Sequence, residues 1–213
     1  SYFHNSIGGY HAAKLKRFKA LQEFHIDKNN FEVLNMLNTK YIIYQNKEGE
    51  VLYFENEKAN GNAWFVDAIE TFETADEEIL SFDKINTKTT ATANTSELKS
   101  QRFAKDSTAS IQLVNYKLNH LVYATQNLED GFAVFSEAYY KNGWNVTIDG
   151  VEVEHYNVDY VLRGLEIPKG EHTVVFSFNP AVVATGSNIS LGSTILLVLL
   201  ILGQGLLIYR KPS

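Results

Sequence analysis

Residues 189–209 form a run of 21 residues without a charged side chain, and Arg210 and Lys211 follow at once. As a helix rising about 1.5 Å per residue, such a run spans the ~30 Å hydrocarbon core of a bilayer. Its length and lack of charge speak against a buried core helix. The expectation is a transmembrane helix over residues 187–210, with a globular region tethered to the membrane in front of it. Gln204 is the one amide inside the run, and an amide in lipid favours a span packed against partner helices. No Lys or Arg lies between Lys169 and Arg210. The excess of cations on the cytoplasmic side of spans then puts the C-terminus in the cytoplasm and the globular part outside, periplasmic or extracellular.

Composition narrows the function classes. The 19 Lys and Arg against 25 Asp and Glu give a net charge of −6. That balance excludes a phosphate-dominated nucleic-acid binder, which needs a basic stripe. The chain has no cysteine, so disulfide frameworks and thiolate metal sites are excluded too. It opens at Ser1 with no signal-peptide pattern and holds one methionine, Met36, so it reads as the C-terminal part of a longer protein.

The globular part divides into short elements. Residues 9–24 read as a helix with Tyr10, Leu15, Phe18, Leu21 and Phe24 on one broad face. Asn29-Asn30-Phe31-Glu32 has capping-box-like spacing and opens a second helix that ends near Asn38. Residues 41–44 and 51–54 form an expected hairpin around Asn46-Lys47-Glu48-Gly49. Residues 63–72 read as one strand, and Thr74-Ala75-Asp76-Glu77 caps a short helix to about Phe82. Residues 86–96, rich in Thr, Asn and Ala, read as a loop or a polar strand on an exposed edge.

Beyond Ser107, strands are expected over 110–116, 121–126, 132–138, 144–148, 151–156, 160–167 and 172–178. Asp149-Gly150 predicts a primed two-residue turn, and Pro168-Lys169-Gly170 predicts a second hairpin. Trp144, Val146 and Ile148 alternate with Asn145 and Thr147, so one face of that strand is buried. The expected fold class is α+β, mainly β: an antiparallel jelly-roll-like β-sandwich with short N-terminal helices and one C-terminal transmembrane helix. Its units are residues 1–62 (helices and hairpin), 63–183 (extracytoplasmic sandwich) and 187–210 (span).

Four segments carry a family resemblance: FSEAYYKNGWNVTIDG, YVLRGLEIPKGEHTVVFSFNP, SYFHNSIGGYHAAKLKRF and LNMLNTKYII. Together they resemble the C-terminal part of YfhO-like bacterial membrane proteins, the Bacteroidetes members above all. These are large polytopic proteins, related in architecture to C-type glycosyltransferases. The resemblance implies a parent that transfers sugar from a polyprenyl-phosphate donor to a cell-surface polymer or lipid. It also implies upstream transmembrane helices as partners. The catalytic acid of C-type enzymes usually lies in an early external loop, so this stretch is expected to be inert alone, with no catalytic residue, cofactor or metal of its own.

Candidate contacts follow from residue chemistry. Glu137, Tyr139, Tyr140 and Trp144 crowd one corner, where rings can stack on sugar C–H faces and a carboxylate can accept hydroxyl hydrogens; the other reading is ordinary packing of strand aromatics. Arg163 sits between Leu162 and Gly164 in an apolar strand, either paired structurally with Glu137 or Glu166 or aimed at a phosphate. Lys14, Lys16, Arg17 and Lys19 cluster cations on the first helix, facing either water or anionic headgroups. His4 and His11 lack a third ligand, and the acids Asp76, Glu77 and Glu78 are explained by their place at a helix start. The alternatives to a transferase part are a non-catalytic carbohydrate- or partner-binding module, or a structural cap over a membrane bundle.

The topology is directly testable. In the complete protein, single cysteines at Ser107 and Ser213 should behave oppositely towards a membrane-impermeant thiol reagent in intact cells. Labelling of Ser107 alone is expected; labelling of Ser213 alone would reverse the orientation.

Overall fold

The computed structural model describes residues 6–8 and 15–209. The first helix therefore enters at α1 (Lys16–Phe24); the part expected over 9–14 lies outside the described residues. A single 3-10 turn and the left-handed Asn29 (φ 56°) reverse the chain into α2 (Phe31–Met36). Asn30, rather than Asn29, caps it: Oδ1 accepts from the N–H groups of Glu32 and Val33. The hairpin β1 (Tyr41–Gln45) and β2 (Val51–Glu55) follows as expected, closed by Asn46, whose Oδ1 accepts from Glu48 and Glu50.

The strand expected over 63–72 is in fact two, β3 (Ala63–Val66) and β4 (Ala68–Phe72). Asp67 breaks it, because its N–H donates to Thr89 and its carbonyl accepts from Phe103 instead of a ladder neighbour. The α3 helix (Ala75–Ser81) starts with the expected reciprocal capping box between Thr74 and Glu77. The next segment corrects the reading of 86–96: β5 (Thr90–Asn94) is a buried inner strand, parallel to β4. Ala91 and Ala93 are small enough for close packing, and the Thr92 hydroxyl donates to Glu78. A short edge strand, β6 (Gln101–Arg102), pairs with the other side of β4.

Eight strands complete the body: β7 (Ser110–Lys117), β8 (His120–Asn127), β9 (Gly131–Ala138), β10 (Trp144–Ile148), β11 (Val151–Val153), β12 (Tyr156–Val158), β13 (Leu162–Ile167) and β14 (Gly170–Phe178). They sort into two sheets, ordered β11-β10-β14-β8-β7 and β3-β9-β13-β12-β5-β4-β6. Residues 151–156 are thus two strands in different sheets, the chain crossing over at Glu154-His155. Pro168-Lys169 likewise joins strands of different sheets, so the hairpin expected there is a crossover. Asp149 and Gly150 do form a primed turn, with φ of 51° and 83°.

The seven-stranded sheet is buried on both faces. One face packs Phe132, Val134, Trp64 and Ile69 against Leu21, Val33, Met36, Ile79 and Phe82 of the helical layer. The other packs Ala133, Phe135, Leu165 and Ile167 against Leu121, Tyr123, Val146, Val174 and Phe176 of the five-stranded sheet. The order is therefore helices, sheet, sheet. Gly164 makes room for the Phe132 ring, whose Cζ would lie 2.4 Å from an added Cβ.

Past β14, Asn179 and Pro180 lead straight into α4 (Ala181–Tyr209), 29 residues long. Within residues 181–204 an 18-residue window reaches a mean hydropathy of 1.8 and is not buried against the body, so α4 is long and apolar enough to cross a membrane. Its root is tied to two neighbouring turns: Phe178 N–H donates to Asn119 O (2.9 Å) and Asn179 N–H to Gly143 O (2.7 Å).

Two glycines should respond to substitution for different reasons. Gly150 has open space around it, so Gly150→Val should cost about 1–2 kcal/mol through φ alone. Gly164→Ala meets the Phe132 ring and Val158 and should cost about 1–3 kcal/mol or more through overpacking. Chemical denaturation of both variants checks this; equal wild-type midpoints would refute it.

Candidate functional site

The end of the sandwich from which α4 leaves gathers most of the residues picked out by sequence. Arg163 is only 2% exposed and enters the space between the sheets opposite Phe135. Its Nε donates to Ala138 O (3.0 Å), and its guanidinium lies over the rings of Trp144 (4.0 Å) and Phe176 (5.2 Å). The expected ion pair is not formed as such: among the described residues no carboxylate lies within 4 Å, and Nη1 has no hydrogen-bond partner. Glu166 is exposed at the far end of the strand. Glu137 is near enough to act through its field. A β-bulge places it there, since the register of β9 on β13 jumps between Phe135 and Ala138.

Burial and charge set the ionisation of this cluster. Burial pulls Arg163 down to about 10, with Glu137 opposing, so the guanidinium stays charged at neutral pH. Burial raises the Glu137 carboxyl above the usual range, and Arg163 works against that. His155 is held down to about 4 by burial and then by Arg163, leaving a neutral imidazole whose Nε2 has no partner among the described residues. Burial also raises the Tyr123 phenol, whose hydroxyl is likewise unpartnered. The result is one buried cation framed by the rings of Trp144 and Phe176, a neutral imidazole, a phenol and the Glu137 carboxyl.

The aromatic corner caps this cluster. Tyr139 is half-buried, its ring 5.2 Å from His155 and its N–H donating to Val161 O. Tyr140 is exposed. Trp144 is half-buried between Arg163 and Phe178, the latter ring 5.2 Å away. Glu137, Trp144 and Arg163 are thus brought together, Tyr139 joins them through His155, and Tyr140 faces solvent.

Arg17 belongs elsewhere, on the helical side of the seven-stranded sheet. Its Nη1 donates to Tyr160 O (3.1 Å) and Glu78 Oε2 (3.4 Å), and its guanidinium covers the Tyr160 ring. Glu78 Oε1 accepts from Tyr160 N–H and the Thr92 hydroxyl. Beside it Asp159 is fully buried; Oδ1 accepts from Thr92 N–H (2.8 Å) and Oδ2 has no partner. Asp159 and Tyr160 both hold left-handed backbone, φ 46° and 68°, a strained pair for residues with side chains. Burial first, and the Glu78 charge with it, pushes Asp159 up to about 8. Lys14, His4 and His11 lie outside the described residues.

Sequence reasoning missed His155, Asp159 and the second role of Glu78. Asp159 had a signal: a lone acid inside Val158-Asp159-Tyr160-Val161-Leu162. His155 and Glu78 had none, since only the crossover and the helix packing bury them. At the opposite end of the sandwich lies a groove of about 580 Å³ lined by Arg102, Phe103, Asp130, Glu154, Tyr156 and Glu166 among others; the other picked-out residues do not reach it. Among the described residues no group of His, Asp and Glu could hold a metal ion.

A family model described as "Bacterial membrane protein YfhO" matches residues 71–190, more than half of the chain. The match takes in the aromatic corner, Arg163, Asp159 and the start of α4. No curated protein and no solved structure matches the chain.

Asp159 makes stability depend on pH. Below about pH 4 its carboxyl is protonated in folded and unfolded chains alike. Between there and about 8 the unfolded chain sheds the proton while the folded one keeps it, so stability falls as pH rises. Glu78, raised chiefly by burial, adds the same sign. Asp159→Asn keeps the Thr92 contact, tolerates the backbone and removes the ionisation. It should raise Tm at pH 8.5 by about 2–4 °C, the shift of ~1 kcal/mol in a domain of this size, with little change near pH 4. An unchanged pH profile would count against it.

Proposed function

The chain belongs to the YfhO family of bacterial membrane proteins, and from that premise we propose that its globular part lies outside the cytoplasm and serves sugar transfer by the complete protein. In this reading a polyprenyl-phosphate sugar is the donor and a cell-surface polymer or lipid the acceptor. The globular part carries no chemistry; it holds the acceptor while upstream transmembrane segments react it. One observation carries the proposal. The Tyr139–Tyr140 corner leads into the turn at Gly143, whose carbonyl accepts from Asn179 N–H two residues before the apolar helix α4 begins.

Chemistry divides the labour at that corner. Tyr140 and the half-exposed Tyr139 offer rings to sugar C–H faces and hydroxyls to sugar oxygens. Arg163, Trp144 and Glu137 shape the wall behind them, because a guanidinium so deeply buried meets no ligand directly. That burial also favours a second reading, in which the cluster only braces a structural cap over the membrane bundle.

Tyr139→Ala/Tyr140→Ala in the complete protein separates the two. The double variant should fold and insert normally yet reduce surface-glycan modification several-fold. Normal modification would favour the cap. Sugar transfer by the 213 residues alone would defeat the non-catalytic assignment and turn attention to Glu137 and Glu78 as acids.

A further inference from the structure

The β1–β2 hairpin is largely apolar on both faces and pairs with no other strand among the described residues. Register sorts its side chains. Ile42, Tyr44, Leu52 and Phe54 share the face that leans on α2, where the Phe54 and Phe31 rings are 6.2 Å apart. Tyr41, Ile43, Val51 and Tyr53 share the other, with Glu55 at its base and Gln45 at its tip; it stands open among the described residues, Ile43, Val51 and Tyr53 being 72%, 72% and 71% exposed. An isolated two-stranded sheet is marginal in water, and a patch like this marks a surface that is normally covered.

Its place in the fold says what covers it. The hairpin base is pinned by Asn56, whose N–H donates to Lys40 O and whose Nδ2 donates to Asn35 Oδ1. The adjoining segments are held at Ser136, which donates to Met36 O and Asn62 O, one residue before Glu137. That is the end of β9 next to Arg163, Trp144 and Phe178, hence the end from which α4 departs. The same end carries Leu118 at the tip of the β7–β8 turn, 92% exposed, and the turn is bonded to Phe178 through Asn119.

Helix length sets the distance. Residues 181–188, charge-free like the rest of α4, are its more polar first turns and include Thr185, Ser187 and Asn188. Eight helical residues rise about 12 Å, enough to cross a headgroup layer of roughly 5–8 Å. With these turns in that layer, the body end lies at its outer, water-facing boundary. Tyrosines mixed with aliphatic side chains suit that layer, where one end of the ring is dry and the other wet. The charged turn Lys47-Glu48-Gly49-Glu50 opposes entry tip first, so the hairpin lies along the surface.

We propose that the open face of the β1–β2 hairpin and the Leu118 turn are a lipid-docking surface, resting in the interfacial layer of the leaflet that α4 enters. The body is then held to the bilayer at points beside its helix, with a fixed end towards the lipid. This does not depend on what the protein does with sugars.

The absence of cysteine makes a clean test possible. The chain, inserted through α4 into phosphatidylcholine and phosphatidylglycerol vesicles, carries one environment-sensitive thiol dye at Ile43, Val51 or Leu118. Val151, equally apolar and 67% exposed but at the opposite end by the Asp149-Gly150 turn, is the control. Lipids spin-labelled near the headgroup should quench the first three dyes several-fold and leave Val151 unchanged. No quenching at the three would overturn the proposal, as would a blue-shifted but unquenched dye, which means a protein partner or a second copy covers the face. Circular dichroism and melting of each labelled chain ensure that a quenched dye reports a folded body.

Discussion

β9 and β13 form the wall between two cores, and every other layer takes its position from them. Phe132 and Val134 face the helices, Ala133 and Phe135 face the second sheet, and all four are fully buried. A strand with two dry faces has no side on which a polar residue can stay wet, which is why this run is apolar without alternation. Gly164 on the partner strand completes the fit, since the Phe132 ring occupies the volume a side chain would take. The β-bulge near Ala138 ends this regularity and turns the chain towards the aromatic corner and the root of α4.

The same wall forces a choice on the ionisable groups that reach it. Arg163 and Asp159 lie close in sequence, at the same end, and both are buried, yet burial settles their charge differently. Desolvation lowers Arg163 only to about 10, so it keeps its proton and spends its charge on the Trp144 and Phe176 faces and the Ala138 carbonyl. A carboxylate begins much nearer neutrality, and a comparable penalty carries Asp159 from 3.8 to about 8, leaving it protonated. Glu78 keeps better company, with Arg17, Thr92 and Tyr160 N–H around it. The polar groups of this end therefore brace the fold around the guanidinium groups of Arg163 and Arg17.

Legibility followed the range of the interactions. Signals written within a few residues came through: the Thr74 capping box, the Asp149-Gly150 turn, the alternation of Trp144, Val146 and Ile148, and the long apolar helix. Each is settled by local geometry or by transfer of one segment from water. The site was half legible: Glu137, Trp144 and Arg163 do meet, but their grouping with His155, and the separate binding of Arg17 to Glu78, come from contacts across the sheets.

The amino-acid sequence by itself determined that the chain is strand-rich, that it ends in a helix able to cross a membrane, and where most strands begin and stop. Only the tertiary structure decided which sheet each strand joins. It split residues 63–72 at Asp67, drew β5 into the interior, and turned Glu154-His155 and Pro168-Lys169 into crossovers. The reason is that pairing and facing are collective. A polar stretch such as Thr90–Asn94 can be central once Thr92 meets Glu78 and Asp159, and those partners lie 14 and 67 residues away. No window short enough to show a period contains them.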